Sequence, residues 1–330
     1  MTDGAAPRAH HRPGGGFRNP WDDAELRGFG SFLKWKLAGR RARSRPAPPA
    51  HFPVVPSGFA RPRGPADRLG LTWVGHSTFL VQLGGLNLVT DPMWSARASP
   101  IGFLGPRRLV PPAFPLDLLP PLDVVLISHN HYDHLDAPTV RRIARAHPAA
   151  QWVAPLGLGP WLRGHGAAAV SELDWWEELS IGGLRVGCTP AQHFSARGFR
   201  DRNATLWAGF AVASGARRLF FAGDTARHPV FATIAERFGP FDAACLPIGA
   251  YDPRWFMQAV HMDPEEALAA YTALERPGAA TLFVAMHWGT FRLTDEPPGE
   301  PPVRLRAAWQ AAGRDPAGLW VPAHGETRSL

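Results

Sequence analysis

Residues 124–136 read VVLISHNHYDHLD and place four potential metal ligands directly behind an apolar run. The run VVLIS is typical of a buried strand, so the ligands begin where that strand ends. His129 and His131 are two positions apart and point the same way from an extended chain. Asp133 and His134 follow one turn later and can reach a second point nearby. Imidazole and carboxylate groups are the ligands of catalytic zinc, so the stretch predicts a metal site.

Three further candidates each end an apolar run farther along the chain. His193 lies in TPAQHF after LRVGC, Asp224 in AGDT after RLFF, and His287 in AMHWGT after TLFV. Loops at strand ends are held by a rigid sheet, which suits them to carry ligands. A strand can also end at a polar residue for no functional reason, so each candidate alone is weak. Together with the first stretch they predict seven ligands and two metal ions.

The flanking sequence predicts many short strands with interspersed helices. The stretch LTWVGHSTFLVQLGGLNLVT predicts two strands around a turn at Gly84 and Gly85. Further apolar runs bounded by Gly, Pro or Asp read QWVAP, LRVGCTP, FAVAS, RLFFAG, AACLPI and TLFVAM. Helical patterns cover 138–147, 228–238, 263–275 and 303–312, with Asp263 as a cap for the third. The sequence therefore predicts an α/β (α+β) domain with a sheet core.

The composition is that of a globular protein with an excess of basic residues. Of 330 residues, 45% are hydrophobic and 19% are charged, and the net charge is +7. The excess favours an anionic partner, but no domain interleaves basic and aromatic residues, so we expect no nucleic acid. Only Cys188 and Cys245 are present, which predicts reduced thiols in a cytoplasmic protein. No run approaches 18 apolar residues, so we expect no membrane-spanning segment.

Residues 1–50 are predicted to form a basic extension, and residues 51–330 the main domain. The first 20 residues are rich in Gly, Pro, Arg and His, which predicts disorder, with His10 and His11 as solvated side chains. Residues 21–39 carry an apolar face at helical spacing. That helix either lies on an anionic membrane surface, peripheral to the inner membrane, or packs on the main domain.

Longer motifs carry a family resemblance. SHNHYDH, TPAQH, FAGDT and MHWG, in that order, resemble the metallo-β-lactamase superfamily of dinuclear metal hydrolases. More narrowly, the chain from Asn19 to its end resembles the N-acyl-phosphatidylethanolamine-hydrolysing phospholipases D, through WVGHSTFLVQL, TDPMWSARASP, LPIGAYDPRWFM and HMDPEEA. The resemblance implies a four-layer αββα sandwich and two zinc ions.

The resemblance also implies how the ligands are shared. One zinc ion would be bound by His129, His131 and His193, and the other by Asp133, His134 and His287. Asp224 would bridge the two ions. Asp91 in LVTDP would fix the orientation of a ligand histidine. His76 and His324 match family positions, and we expect them to orient loops by hydrogen bonding rather than to bind metal.

A hydrolytic mechanism follows from the same resemblance. Two zinc ions lower the pKa of a shared water molecule, and Asp133 or Asp224 would accept its proton. His261 would protonate the leaving alcohol, unless it only caps or packs near the helix after Asp263. A substrate stretch near the family's acyl-chain groove comprises Arg254, Trp255, Phe256 and Met257. These four can equally be core residues, and Arg254 can equally pair with a structural carboxylate.

The leading interpretation is a zinc-dependent phosphodiesterase that cleaves N-acyl-phosphatidylethanolamine, or a related phospholipid, into phosphatidic acid and an N-acylethanolamine. A sugar-phosphate lactonase of the same superfamily would use the same chemistry. A non-catalytic, membrane-associated metal-binding protein and a redox di-iron protein belong to other classes. The complete ligand set argues against the first of these, and the purely His and Asp donors argue against the second. Sequence gives no prediction of the oligomeric state.

Overall fold

The computed structural model describes residues 8–21, 30, 34–35, 52–198 and 200–330, and these contain two seven-stranded sheets. The strands of the first sheet are β1 (Leu69–Gly75), β2 (Thr78–Leu83), β3 (Leu86–Thr90), β4 (Val124–Leu126), β5 (Gln151–Pro155), β6 (Ala169–Leu173) and β14 (Thr327–Ser329). Those of the second are β7 (Glu178–Ile181), β8 (Leu184–Thr189), β9 (Gly209–Ser214), β10 (Arg217–Phe221), β11 (Ala243–Pro247), β12 (Leu282–Met286) and β13 (Leu319–Trp320).

Each sheet is antiparallel on one side and parallel on the other. The first has the order β14-β1-β2-β3-β4-β5-β6, antiparallel from β14 to β3 and parallel from β3 to β6. The second has the order β13-β12-β11-β10-β9-β8-β7, antiparallel from β7 to β10 and parallel from β10 to β13. Parallel strands end at one edge of a sheet, so the loops after β3 and β4, and those after β10 and β12, each share an edge.

Side-chain alternation along β4 separates the layers. Val124 and Leu126 belong to the core between the sheets. Val125 points to the opposite face and packs with Val140 and Ile143 of the helix that follows. A strand with both faces buried reads as an uninterrupted apolar run, as VVLI does.

Helices cover the outer faces of both sheets. Those described in full are α1 (Ala137–Ala146), α2 (Gly159–Gly164), α3 (Phe231–Phe238), α4 (Arg254–Met257), α5 (Pro264–Leu274) and α6 (Glu300–Ala311). The four predicted helices are confirmed as α1, α3, α5 and α6. Asp263 caps α5 as predicted, in a capping box with Glu266. The four layers form the predicted αββα sandwich.

The first predicted hairpin contains one strand more than expected. The turn at Gly84 and Gly85 joins β2 to β3 as predicted, with φ of 62° and 74°. A second break separates β1 from β2 because Gly75 and His76 also have positive φ, at 132° and 57°. This break has no separate signal in the sequence, and the edge strands β6, β7, β13 and β14 also lie outside the predicted set.

The prediction of disorder is wrong for residues 8–20, which pack on the main domain. His10 is buried rather than solvated, because it hydrogen-bonds to Asp174 at 2.7 Å. Most of the predicted helix 21–39, and the stretch 40–51, lie outside the described residues. Within it, Trp35 is 4% exposed and packs with Met257 and Val260, so this part of the helix contacts the main domain. Among the described residues, no helix is both long and apolar enough to cross a bilayer.

Candidate metal centre

The loop after β4 carries the first four predicted ligands in a tight turn. The backbone N–H of His134 donates to the carbonyl of His131 at 3.1 Å. Arg197 holds this turn from outside, because its guanidinium donates to the carbonyls of Asn130 and Leu135, at 2.7 Å each. The turn therefore has a fixed shape that presents ligands on its inner side.

The other three predicted ligands follow strands of the second sheet. His193 comes after β8, Asp224 after β10, and His287 directly after β12. The Asp224 loop requires a glycine, because Gly223 has a φ of 61° and a Cβ there would lie 2.7 Å from the Ser128 side chain. His287 itself has a φ of 60°. Positive φ is rare outside glycine and is often found at functional loops.

Four ligands form the first group. The Nε2 atoms of His129 and His193 lie 2.9 and 3.1 Å from Nδ1 of His131. The same two Nε2 atoms lie 3.9 and 3.8 Å from Oδ2 of Asp224. Ligands of a tetrahedral zinc ion with bonds of about 2.1 Å stand about 3.4 Å apart. The separations in this group are centred on that distance.

A second group contains Asp133, His134 and His287. Oδ2 of Asp133 lies 3.5 Å from Nε2 of His134 and 3.6 Å from Nε2 of His287. Both of these nitrogens also approach Oδ2 of Asp224, at 3.1 and 3.2 Å. Asp224 therefore contacts both groups, which is the position of a bridging carboxylate.

His76 adjoins the second group. Its Nε2 hydrogen-bonds to Oδ2 of Asp133 at 2.9 Å, and its carbonyl accepts from the backbone N–H of His287 at 3.1 Å. Its own backbone N–H donates to the hydroxyl of Thr290, which also contacts Nε2 of His324 at 3.0 Å. These contacts orient loops, which is the role expected of His76 and His324. The ring of His76 is nevertheless within 4.8 Å of the second group's ligand atoms.

Several buried polar atoms of the centre have no hydrogen-bond partner among the described residues. They include Nε2 of His134, Nε2 of His287 and Oδ1 of Asp224. Leaving such an atom unpaired costs roughly 1–3 kcal/mol, a cost that metal coordination removes. Five imidazoles and two carboxylates are also donors that zinc accepts. The residues therefore fit two divalent metal ions.

Electrostatics divide the histidines of the centre into two kinds. Burial lowers the pKa of His131 to about 3 and that of His193 to about 4, so both rings are neutral, the form that binds metal. Burial also disfavours charge on His287, but the carboxylates of Asp224 and Asp133 outweigh it and raise its pKa to about 9. The same balance raises the pKa of His134 well above its usual value. A bound metal ion would displace protons from His134 and His287.

Outer hydrogen bonds fix the ligand rings. Oδ2 of Asp91 accepts from Nδ1 of His134 at 2.7 Å and from the hydroxyl of Ser128 at 2.6 Å. Nδ1 of His193 donates to the carbonyl of Val260 at 2.9 Å. Both contacts leave Nε2 facing the centre. Asp91 thus lies where a residue that orients a ligand histidine must lie.

Comparison with known families agrees with this geometry. Residues 86–288 match the model of the beta-lactamase superfamily domain. The chain belongs to the beta-lactamase superfamily. The predicted superfamily is confirmed, and with it a metallo-hydrolase fold whose His and Asp clusters are able to bind metal.

Curated relatives within the superfamily include phospholipases. The N-acyl-phosphatidylethanolamine-hydrolyzing phospholipase D 1 of Caenorhabditis elegans is 45% identical over 230 residues, 67% of this chain and 64% of that protein. The mitochondrial enzyme of the same name from Saccharomyces cerevisiae is 35% identical over 247 residues, 72% and 52% of the two chains. An uncharacterized protein of Mycobacterium tuberculosis is 44% identical over 289 residues, 87% and 74%. The chain thus matches between half and two thirds of the length of the two phospholipases.

Solved structures share the superfamily fold. Igni18, a metallo hydrolase from Ignicoccus hospitalis, has a TM-score of 0.57 and 22% identity over 80% of this chain and 98% of that one. The isothiocyanate hydrolase from Delia radicum gut bacteria has a TM-score of 0.61 and 22% identity over 78% and 98%. CmlA, a diiron beta-hydroxylase from Streptomyces venezuelae, has a TM-score of 0.56 and 23% identity over 81% and 54%. At these identities the likeness concerns the fold.

His261, the predicted general acid, lies at the edge of the candidate metal centre. Its ring centroid is 5.0 Å from that of His193 and 5.3 Å from that of His287. Its Nδ1 lies 4.0 Å from Oδ2 of Asp224. The alternative role as a helix cap does not hold, because Asp263 caps α5.

The predicted substrate stretch does not form one surface. Arg254 donates to Glu266 at 2.6 Å and to the carbonyl of His261 at 3.0 Å. It therefore pairs with a structural carboxylate, which is the alternative role predicted for this residue. Binding of a substrate phosphate by Arg254 stays a prediction, and the observed partners of its guanidinium are Glu266 and the carbonyl of His261. Met257 is buried in a small cluster, Phe256 is half-buried beside it, and Trp255 is exposed.

Sequence reasoning missed two residues that hold the metal centre. Arg197 donates hydrogen bonds to two carbonyls of the ligand turn, and Asn19 contacts the backbone of His193. No local pattern marks Arg197 as special among the many arginines. Asn19 had a signal, since the family resemblance begins there.

Proposed function

We propose that this protein is a dinuclear metal phosphodiesterase that cleaves N-acyl-phosphatidylethanolamine or a related phospholipid. The observation that carries the proposal is the position of Asp224, whose Oδ2 lies within 3.9 Å of ligand atoms from both groups. Two zinc ions held there would lower the pKa of a water molecule and polarise a phosphoryl oxygen. The donor set of imidazoles and carboxylates suits this hydrolytic chemistry.

The side chains of the centre provide for proton transfer. Burial opposes ionisation of Asp133 and Asp224, but the positive charge of His134 outweighs it and holds both pKa values well below their usual range. Both side chains are therefore ionised, which is the form that binds metal. We infer that one of them accepts the proton of the attacking water, as the family resemblance implies. Burial lowers the pKa of His261 well below its usual value, so its ring is neutral and carries one N–H. This N–H can donate a hydrogen bond to the leaving oxygen.

An exposed apolar stretch in the connection between β3 and β4 supports a lipid substrate. In the connection between β3 and β4, Ile101, Phe103 and Leu104 are 41%, 83% and 61% exposed, and we refer to residues 101–104 as the apolar tip. The neighbouring Arg107 is exposed as well. Apolar side chains next to a basic residue suit an anionic lipid surface.

The base of the same connection reaches the metal centre. Leu109 donates its backbone N–H to the carbonyl of Thr290 at 2.8 Å, and Thr290 accepts from the backbone of His76. The connection that carries the apolar tip is therefore anchored, at its base, to residues that contact the metal centre. The names of the two phospholipase relatives support the same substrate class.

The surroundings of His193 favour a lipid over a sugar-phosphate lactone. Trp35, Met257 and Val260 form an apolar cluster, with Phe194 and Phe256 packed against it. Phe194 follows His193 directly in the chain, so apolar side chains border the centre. A polar sugar lactone would require hydrogen-bonding groups there.

The test is to incubate the zinc-loaded protein with vesicles that contain N-acyl-phosphatidylethanolamine and to identify the products by mass spectrometry. We expect N-acylethanolamine and phosphatidic acid. His131→Ala should reduce the rate by more than roughly 100-fold, because losing an outer partner of a ligand already costs roughly 10–100-fold. The matched control is His165→Ala, whose ring stacks on Trp161 at 3.7 Å and contacts neither ligand group. Full activity in His131→Ala, or hydrolysis of sugar-phosphate lactones but not lipid, would contradict the proposal.

A further inference from the structure

The N-terminal segment 8–21, which we call the strap, crosses the loop that carries His193. Phe17 donates its backbone N–H to the carbonyl of Asn203 at 2.8 Å, and its side chain is buried in the main core. An isolated bridge pairs His11 with Phe17, and the backbone N–H of Arg18 donates to the carbonyl of His10 at 2.9 Å. The strap thus has a hairpin-like shape of its own and is anchored in the core by Phe17.

Asp174 fixes the first part of the strap. Its two carboxylate oxygens contact Nε2 of His10 at 2.7 Å and Nε2 of His11 at 2.8 Å, and the guanidinium of Arg8 lies 2.8 Å away. The three residues His10, His11 and Asp174 have a spacing that a metal ion also accepts. Direct hydrogen bonds to both oxygens, and the positive charge of Arg8, identify the cluster as a clamp instead.

Aromatic stacking fixes both parts of the strap on one residue of the main domain. The ring of His10 stacks on Trp175 with centroids 4.3 Å apart. Trp21 stacks on the same Trp175 at 5.7 Å and on His228 at 4.8 Å. The segment between these contacts is therefore held at both ends and has little freedom to move away from the loop beneath it.

Asn19 lies in that segment and pairs with the backbone of the metal ligand. Its side-chain amide donates to the carbonyl of His193 at 2.9 Å, and its side-chain oxygen accepts from the backbone N–H of His193 at 3.3 Å. The residue before, Gln192, is held differently, by Thr225 and Ala226. The strap therefore supplies partners for the two backbone groups of His193, which are buried and have no other partner among the described residues.

The two contacts of Asn19 fix the backbone position of His193, which the hydrogen bond of its ring does not fix. Nδ1 of His193 is bound to the carbonyl of Val260, which fixes the ring's rotation. The position of the ring as a whole depends on the backbone that Asn19 holds. Nε2 lies 3.1 Å from Nδ1 of His131, so a backbone shift of an ångström would take it out of the first ligand group.

We propose that Asn19 is a positioning residue for the metal ligand His193, and that the strap completes the first of the two metal sites. The inference rests on the two-metal centre proposed above. It predicts that loss of the Asn19 contacts weakens the ion bound by His129, His131 and His193, and leaves the ion bound by Asp133, His134 and His287 in place.

The experiment measures metal rather than turnover. Full-length wild-type protein, Asn19→Ala and Asn19→Asp are titrated with Zn²⁺ against a chelating indicator, and their Co²⁺-substituted forms are compared by visible absorption. Asn19→Asp keeps the acceptor for the His193 N–H and removes the donor to its carbonyl. Arg18→Ala is the matched control, because the Arg18 side chain contacts only the strap's own Ala9 carbonyl among the described residues.

We expect Asn19→Ala to bind one of its two ions roughly 10–100-fold more weakly, the range for outer partners of metal ligands, with a changed Co²⁺ spectrum. Asn19→Asp should also bind that ion more weakly than wild type, because a carboxylate oxygen then faces the His193 carbonyl, and Arg18→Ala should match wild type. Two ions bound with wild-type affinity and spectrum in both Asn19 variants would overturn the proposal. So would equally weakened binding of both ions.

If Asn19→Ala does not fold, Asn19→Asp decides by the same criteria. Fewer than two ions in the wild type would refute the proposed two-metal centre itself, whatever the variants do.

Discussion

Asp91 shows how much of the metal centre depends on a residue that points away from the metal positions. Its carboxylate joins Nδ1 of His134 to both the hydroxyl and the backbone N–H of Ser128, the last residue before the ligand turn. The side chain is fully buried, and its φ of 34° requires a conformation that few non-glycine residues adopt. This one residue therefore links the end of β3, the end of β4 and a ligand ring.

Asp91→Asn should weaken metal binding without unfolding the protein. The amide has nearly the same shape, but it carries no charge and presents one acceptor oxygen where the carboxylate presents two. The orientation and basicity of His134 both suffer, and we expect roughly 10–100-fold weaker binding of zinc. A zinc titration against a chelating indicator, with circular dichroism to verify folding, measures the effect.

Asp117→Asn is the control for Asp91→Asn. Asp117 is exposed and pairs only with Arg142 on the surface of α1 among the described residues. A surface pair of this kind contributes little, so zinc affinity should stay at the wild-type value. Equal affinities for Asp91→Asn and wild type would mean that the hydrogen bond to His134 does not influence the metal.

The elements that carry the ligands were predictable because they are buried strands. Apolar runs such as RLFFA and TLFVA have no polar face, so their ends stand out in the sequence. The break between β1 and β2 had no such signal. His76 occupies it with a positive φ stabilised by Thr290, which lies more than 200 residues away in the chain. Contacts between residues far apart in the chain determine the backbone conformation at this break, and the local sequence pattern does not.

The connection between β3 and β4 carries a prediction of its own. Phe103→Ser should lower the rate on vesicles of anionic phospholipid and leave the rate on a soluble phosphodiester unchanged. Burial of a phenylalanine side chain contributes roughly 1.5–3 kcal/mol, so we expect at least about tenfold weaker vesicle binding. Vesicle co-sedimentation and the two rates, measured on one zinc-loaded preparation, provide the test.

Val303→Ser is the control for that experiment. Val303 is also highly exposed and apolar, at 64%, but lies on α6. Its replacement should leave vesicle binding intact if the apolar tip is the contact. Equal losses from both substitutions would indicate a general effect of surface hydrophobicity, and no loss from Phe103→Ser would exclude the tip as a lipid contact.

At the scale of the whole molecule, the convergence of seven ligands from about 160 positions of sequence was predictable for a topological reason. The parallel halves of the sheets bring the ends of β4, β10 and β12 to common edges, so six of the seven predicted ligands meet there. His193 follows β8 in the antiparallel half, and β8 runs in the same direction as β10 because both are antiparallel to β9. The strap was not predictable in this way. Its Gly- and Pro-rich composition is that of a disordered tail, and only the main domain's Asp174, Trp175 and Asn203 provide the partners that order it.

Bringing so many imidazoles into one buried centre makes the metal-free protein sensitive to acid. Burial lowers the pKa of His76 and His131 to about 3 and that of His193 to about 4, against 6.5 for an unburied histidine. The unfolded chain therefore binds more protons than the folded one between those values, and stability is lost as the pH falls through this window. His287 behaves in the opposite way. Its raised pKa of about 9 gives stability that is complete below 6.5 and is lost as the pH rises toward 9.

Chelator-treated protein should accordingly show a urea midpoint that falls from pH 7 to pH 5. Each such histidine changes the free energy of unfolding by up to about 1.4 kcal/mol per pH unit.

His228 allows the origin of the effect to be tested away from the ligands. Burial lowers its pKa to about 3, and its ring stacks between Trp21 and Phe231 with neither nitrogen hydrogen-bonded among the described residues. His228→Phe keeps the stacking and removes one proton-binding site from the unfolded chain, so the midpoint should fall less steeply with acid than in wild type. A midpoint that is constant or rises between pH 7 and pH 5 would show that the buried histidines do not govern acid stability.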